Sequence, residues 1–433
     1  MRLKRGEGIH HHDKYLPMAG RTAVRDGVPH MVKSPIAAPE RQGPLKDIRV
    51  VDLTAMVFGP YATQIMADMG ADVIKIEQPS GDDTRYINVG PAADLGGIFV
   101  NCNRGKRSVV LDLREESEKA ILRQLIAGAD VFIHSMRGKA IARLGFDYES
   151  VRAIKPDIVY TNCYGYSRRG PYADKPAYDD TIQAECGVTH VQELMNGEPG
   201  FVATIMADKV AGLTALYATT MALFHRERTG EGQEVEVGMF ETMASFMLVE
   251  HASGKLFDPP LGPAHYHRAA NRHRRPYKTK DGHVAALVYN DRHWKAFVGA
   301  VNPAWVTSDM DTLAGRAKQI DHVYQRLGET FQTRTTAEWL ALLGELNIPA
   351  APLRTTDELF DDPHLNANGG LLPVTLADGR KTKLPNIPLS IDGERPSLRR
   401  DLPKVGEHDD EIARELGYSE AEIAALRSKR IIV

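Results

Sequence analysis

Cysteine is nearly absent. Only Cys102, Cys163 and Cys186 occur in 433 residues, far apart and without a CxxC pair. That excludes a disulfide scaffold and a cysteine-built zinc site, and it points to reduced thiols in a cytoplasmic protein. No apolar run reaches the ~18 residues a membrane span needs, and the opening MRLKRGEG never develops the apolar stretch of a secretory signal. Charge of one sign is also missing. The net value of −3, from 54 basic and 57 acidic residues, excludes a chain-wide nucleic-acid footprint but leaves room for a local basic pocket. No GxGxxG follows the first strand-like run. GPY at 59–61 makes the turn instead, which disfavours a nicotinamide or flavin dinucleotide. NRGKRS at 103–108 lacks the leading Gly and the Ser/Thr directly after GK that a P-loop requires. His10, His11 and His12 adjoin one another in a polar tail, so their clustering is read as incidental and no metal is expected.

What is present is an ordinary globular composition, 42% hydrophobic and 26% charged, in a chain too long for one core, so two domains are the default. Residues 1–44 have little apolar periodicity and read as a tail. From Leu45, strands and helices alternate: IRVVDL (48–53), a helix through YATQIMADMG ending at Gly70, DVIKIEQP (72–79), RSVVLDL (107–113), a helix over 115–129, DVFIHS (130–135), a short helix in KAIARLGF, and DIVYTNCYG (157–165). This alternation predicts a doubly wound α/β domain over 45–255. A helix over 239–257 and a Pro-, His- and Arg-rich linker at 256–280 follow. A smaller domain over 281–365 starts with the strand HVAALVY (283–289), and residues 366–433 end in a helix whose Ser419 and Glu422 have capping-box spacing.

The stretch Met206–Gly232 reads as a helix, with Asp208 able to cap its start and His225, Arg226 and Arg228 in the last turn before Gly230. QEVEVGMF then alternates like a strand. Unpaired N–H groups and the positive dipole end would hold Asp208 ionised, and an ionised carboxylate can act as a nucleophile. A plain N-cap is the competing reading. Asp179 and Asp180 permit an acid/base dyad, but an N-cap with its neighbour fits them better. His190, Gln192, Glu193 and His251 stand near this stretch, with core or surface roles expected.

Several motifs then fall together in order. PLKDIRVVDLT, GPYATQIMADMGADVIKIEQPSGDD, NRGKRSVVLDL, IARLGFDYESVRAIKPDIVY, PAYDDTIQAECG, MADKVAGLTAL and HRERTGEGQEVEVGMFE resemble the class III coenzyme A transferases, the group holding formyl-CoA transferase, carnitine CoA-transferase and α-methylacyl-CoA racemase. The likeness runs from about Leu45 to the C-terminus. It implies a Rossmann-like large domain with a smaller α+β domain and an interlocked homodimer. It also implies CoA transfer from an acyl-CoA to a carboxylic acid, with CoA as substrate and no tightly bound cofactor. In the mechanism it implies, Asp208 attacks the thioester to form an anhydride and then an aspartyl-CoA thioester. By position in the matching motifs, Arg143, Arg137, Arg114 and Lys175 are the expected phosphate partners, and Val57, Phe58 and Tyr178 line the pantetheine and thioester region. The racemases of this family carry His where this chain has Tyr178, and a phenol of pKa ~10 is a poor proton shuttle, so the epimerase alternative recedes. A non-catalytic acyl-CoA binding protein is the other alternative. A glycine-rich lid has no counterpart here, and SMRG replaces the commoner NFRPG.

Overall fold

Six short runs rich in Val and Ile build one parallel sheet. They are β1 (Arg49–Leu53), β2 (Asp72–Glu77), β3 (Arg107–Val110), β4 (Val131–His134), β5 (Val159–Tyr164) and β6 (Glu234–Gly238), in the order β3-β2-β1-β4-β5-β6. This is the strand order of a dinucleotide-binding fold, reached without its glycine fingerprint. The computed structural model describes residues 43–376, 379–398, 400 and 402–429. The expected tail, apart from residues 43 and 44, and with it His10, His11 and His12, lies outside the described residues.

Between the strands run α1 (Phe58–Asp68), α2 (Gly97–Asn103), α3 (Glu116–Ala127), α4 (Gly138–Leu144), α5 (Tyr148–Ile154), α6 (Asp179–Glu185), α7 (Val188–Asn196) and α8 (Met206–Thr229); α9 (Met239–His251) follows β6. Side chains alternate across the pleat, so neighbours on one strand serve different cores. Val50, Val131 and Val159 pack with Phe58 and Met66 of α1, Ala211 of α8 and Met243 of α9. Val51, Ile74 and Phe132 point the other way, against Leu122 and Ile126 of α3. Both faces are covered, as a parallel sheet requires.

Several predicted elements come out shorter, among them the strand expected over 283–289, which ends at Ala286. The strand expected over 107–113 ends at Val110, because the chain turns at Asp112, whose carbonyl accepts from Glu115 N at 2.9 Å. The helix expected over 239–257 ends at His251, because Ser253 takes a left-handed φ of 41° and the chain doubles back. Gly254 permits that reversal: a Cβ there would lie 2.6 Å from Gly262 N.

A three-stranded antiparallel sheet of β7 (Tyr277–Lys278), β8 (His283–Ala286) and β9 (Ala350–Pro352) follows. The helices α10 (Asp291–Val301), α11 (Leu313–Lys318), α12 (Ile320–Phe331) and α13 (Thr336–Glu345) accompany it, around a core of Trp294, Phe331 and Trp339. After α14 (Pro363–Ala367), the hairpin of β10 (Leu371–Thr375) and β11 (Lys381–Pro385) packs Val374 and Leu384 against Phe99 and Val100 of α2. The chain then returns to the edge strand β3. Ser108 O accepts from His408 N at 3.0 Å, and Val110 N donates to Asp409 Oδ1 at 2.9 Å. Arg107 pairs with Glu411 and Glu415 of α15 (Asp409–Glu415), so the edge is sealed. In α16 (Glu420–Lys429) the predicted capping box is present: Ser419 N donates to Glu422 Oε2 at 2.8 Å and Glu422 N to Ser419 Oγ at 3.3 Å.

Candidate active site

At the C-terminal end of β1 the chain must leave the sheet and start α1 within four residues, and buried charge fixes how it does so. Asp52 accepts from Thr54 N at 2.9 Å, Thr63 Oγ1 at 2.6 Å and Lys106 Nζ at 3.0 Å. Lys106 Nζ also donates to Pro60 O at 3.0 Å and Asn103 Oδ1 at 2.8 Å, while Lys75 Nζ donates to Thr54 O at 3.0 Å. Burial alone would raise the Asp52 carboxyl, but Lys106 and Lys75 hold it down at about 2. Burial lowers Lys106 to about 8 against the opposing pull of Asp52. These side chains pin both ends of the 54–57 turn, in which Met56 sits at φ 68°, a conformation a non-glycine residue holds only when its surroundings enforce it. The loop is tied across the sheet as well, Ala55 N donating to Ser135 Oγ at 3.1 Å.

Asp208 is half-buried in the first turn of α8, facing the first residue of α1. Phe58 N, one of the unpaired donors at that helix start, donates to Asp208 Oδ1 at 3.2 Å. The helices approach closely there because Gly212, one turn on, has no side chain; a Cβ would lie 2.7 Å from Phe58 O. Asp208 is not the N-cap that the sequence suggested. It is the third helical residue, and Ile205, which occupies the cap, offers no acceptor. The acceptor comes from α6, where Asp179 Oδ1 takes Ala207 N at 2.6 Å. Asp179 does not cap its own helix either, since Tyr178 holds that position. The expectation of a carboxyl held ionised by the helix end also needs correcting. Burial, and then the charge of Asp179, push Asp208 from 3.8 up to about 6, and the Phe58 N–H only partly offsets them. The group is still ionised at neutral pH, but as a basic, weakly solvated carboxylate.

The sequence profile of CoA-transferase family III matches residues 45–409. The chain belongs to that family. This CoA-transferase is an enzyme, and its relatives carry named transfer activities. It is 31% identical over 398 residues to the succinate–glutarate CoA-transferase of Agrobacterium fabrum, an alignment covering 87% of this chain and 97% of that one. It is also 31% identical over 390 residues to the succinyl-CoA:mesaconate CoA-transferase of Haloarcula marismortui, with 87% and 97% covered. A solved CAIB/BAIF family protein from Brucella suis superposes with a TM-score of 0.73 at 30% identity, covering 86% of this chain and 99% of that one.

The strand order puts the topological switch point of the transferase between β1 and β4, where ligands of open α/β sheets bind. Val57 and Phe58 follow β1, with Phe58 N on Asp208, and Arg137 follows β4, whose end is tied to the same turn through Ala55 N and Ser135 Oγ. Val57 and Phe58 are buried, offering backbone more than side chain. Arg137 and Arg143 are exposed at the two ends of α4, about 9 Å apart along its axis. Their guanidinium groups make no hydrogen bond or ion pair among the described residues. Arg114 is not gathered there. It follows the edge strand β3, roughly 14 Å across the sheet from β4, and pairs with Asp112 at 2.6 Å. Lys175 is paired with Glu185 and lies over Tyr172 at 5.2 Å. Tyr178 is exposed immediately before Asp179. His251 is buried, its ring accepting from Tyr266 N at 3.1 Å, and His190 pairs with Glu193 at the surface.

Asp52, Lys75, Lys106 and Gly212 do not stand out in the sequence as site residues, and Asp179 is expected there as a cap of its own helix more than as half of a dyad. The available signal was a carboxylate and a lysine inside the apolar strands VVDL and DVIKIE, where charge is costly unless paired. Among the described residues no His, Cys, Asp and Glu cluster has the grouping to hold a metal, and no helix is long and apolar enough to cross a membrane.

Proposed function

We propose that the enzyme moves coenzyme A from an acyl-CoA to a carboxylic acid through covalent intermediates on Asp208. The observation that carries this reading is the Asp208 carboxylate itself, set between the starts of α8 and α1 with one N–H donor and a basicity raised to about 6. Its oxygen attacks the thioester carbonyl, the C–S bond breaks, and CoA thiolate leaves a mixed anhydride. The thiolate then attacks the aspartyl carbonyl and releases the donor acid as a carboxylate, leaving an aspartyl-CoA thioester. The acceptor carboxylate attacks that thioester and expels the thiolate, which takes the new acyl group from the second anhydride and regenerates Asp208. Each step is an exchange at one acyl carbon, so an activated carboxylate suffices. The oxyanions require fixed donors, and Phe58 N–H already points at the reacting group.

Arg137 and Arg143 are the phosphate partners this reading favours, being free to form charge-assisted bonds. Arg114 and Lys175 would first have to leave Asp112 and Glu185. Succinyl-CoA is the donor to try first, since succinate or succinyl-CoA is named for two of the relatives. The test is intact mass after incubation with succinyl-CoA, before and after hydroxylamine, beside Asp208→Asn. A CoA-sized adduct that hydroxylamine removes and the variant lacks is expected; an adduct retained by Asp208→Asn refutes the assignment.

The interlocked homodimer belongs to the same reading. Helix α8 turns its small residues Ala207, Ala211, Ala215 and Thr219 inward and leaves Leu213, Tyr217, Met221 and Phe224 between 46% and 65% exposed along one outer face. A helix apolar on all sides is one that something covers. A second copy of the chain is the proposed cover, and Met221→Glu should yield a monomer in light scattering where the parent is a dimer.

A further inference from the structure

Helix α8 begins without a cap of its own, yet its first N–H groups are satisfied from another helix. We propose that Asp179 is a positioning residue of the transfer reaction: reaching across from α6, it fixes the α8 start and sets a second carboxylate beside the Asp208 carboxyl. This rests on Asp208 being the nucleophile. One oxygen of Asp179 accepts from Ala207 N at 2.6 Å and from Asp208 N at 3.4 Å; the other accepts from Gln183 Nε2 at 2.6 Å. Gln183, fully buried, completes the clamp, its Oε1 accepting from Val202 N at 2.9 Å and its Nε2 reaching Thr204 O at 3.4 Å. Two side chains of α6 therefore grip the whole approach to the nucleophile.

An amide or a hydroxyl would serve as cap about as well as a carboxylate. A carboxylate here sets one acid against another, and the like charge, together with burial, disfavours ionisation of Asp208. The other ionisable groups around α8 are engaged elsewhere. Lys209 donates to Thr204 Oγ1, Glu185 of α6 is held by Lys175, and Glu234 and Glu236 of β6 pair with Arg168. Glu241 of α9 accepts from Ser167 N, β5 contributes the neutral buried Cys163, and α1 presents the Phe58 N–H and Tyr61, a phenol that burial pushes further up and keeps uncharged. Asp179 is thus the charge that faces Asp208. A more basic carboxylate, still ionised at neutral pH, attacks a thioester faster than an ordinary one.

The substitution Asp179→Asn separates the two roles, because it keeps an oxygen acceptor and removes the charge; Asp179→Ala removes both. The rate of CoA adduct formation from succinyl-CoA is followed by intact mass across the pH range of the Asp208 titration. For Asp179→Asn the acid limb is expected to move down by about one pH unit and the plateau rate to fall about threefold. For Asp179→Ala, checked for folding by thermal melt, the plateau is expected to fall at least ~tenfold. A profile for Asp179→Asn that superposes on the parent overturns the proposal even if the alanine variant fails to fold. No adduct in the parent, or one that survives Asp208→Asn, overturns the nucleophile reading and this proposal with it. An adduct confined to Asp208 but indifferent to Asp179→Asn overturns this proposal alone.

Discussion

Gly212→Ala sets two effects of opposite sign against each other, and the geometry says which prevails. Alanine in place of glycine inside a helix stabilises by ~1 kcal/mol. The added Cβ would stand 2.7 Å from Phe58 O and 3.2 Å from Tyr61 Cδ1. A carbon–oxygen contact is comfortable only beyond ~3.3 Å, so the start of α1 must retreat by about 0.6 Å. Overpacking of this kind costs ~1–3 kcal/mol, which leaves a net destabilisation of about 0–2 kcal/mol and a folded protein. Activity should suffer more. The Phe58 N–H bond to Asp208 is already 3.2 Å long, and with the retreat it passes ~3.6 Å, beyond hydrogen-bonding reach. In the proposed reaction the same N–H serves the developing oxyanion, and a bond to that charged acceptor contributes ~1.5–3 kcal/mol, so adduct formation should slow about 10- to 150-fold. Urea unfolding and the adduct rate, measured on one preparation, separate the two quantities. An alanine variant that reacts within twofold of the parent would refute the claim that this close approach aims the donor.

Asp208→Asn should make the protein more stable at neutral pH. The folded-state pKa lies above the unfolded one, so the fold loses stability as pH rises from 3.8 through about 6, and the variant recovers at most about 3 kcal/mol, less after solvent screening. Urea midpoints of parent and variant should therefore coincide near pH 4 and separate at pH 7.5; separation at both would contradict the titration. Lys106→Met leaves Asp52 buried without its main cation, and a loss of ~3–5 kcal/mol in denaturant unfolding is expected. Arg137→Ala should raise the acyl-CoA KM by about 10-fold or more with little change in kcat, as for a contact made equally in ground and transition states.

Much of the six-stranded sheet and its helices was legible because the signals are local. Val and Ile runs such as VVDL and DVIKIE announce strands, Gly70, Gly145 and Gly230 stop helices with positive φ, and Ser419 with Glu422 spells a cap within one turn. Asp208 was legible through the MADKVAG motif and its place at a helix start. Its chemistry was not. The donor from Phe58 comes from 150 residues away, the cap from Asp179 29 residues away, and the Lys106 that steadies the neighbouring loop is 54 residues from Asp52. Periodicity carries no information about which helix start meets which, and a helix end favours an ionised Asp only until burial outweighs it. The sequence by itself determined the parallel strands, the helix ends marked by Gly70, Gly230 and Ser419, and which carboxylate the family motif puts forward as the candidate nucleophile. The tertiary structure decided how basic that carboxylate is and what holds it, because desolvation and like charge exist only once distant segments are packed together.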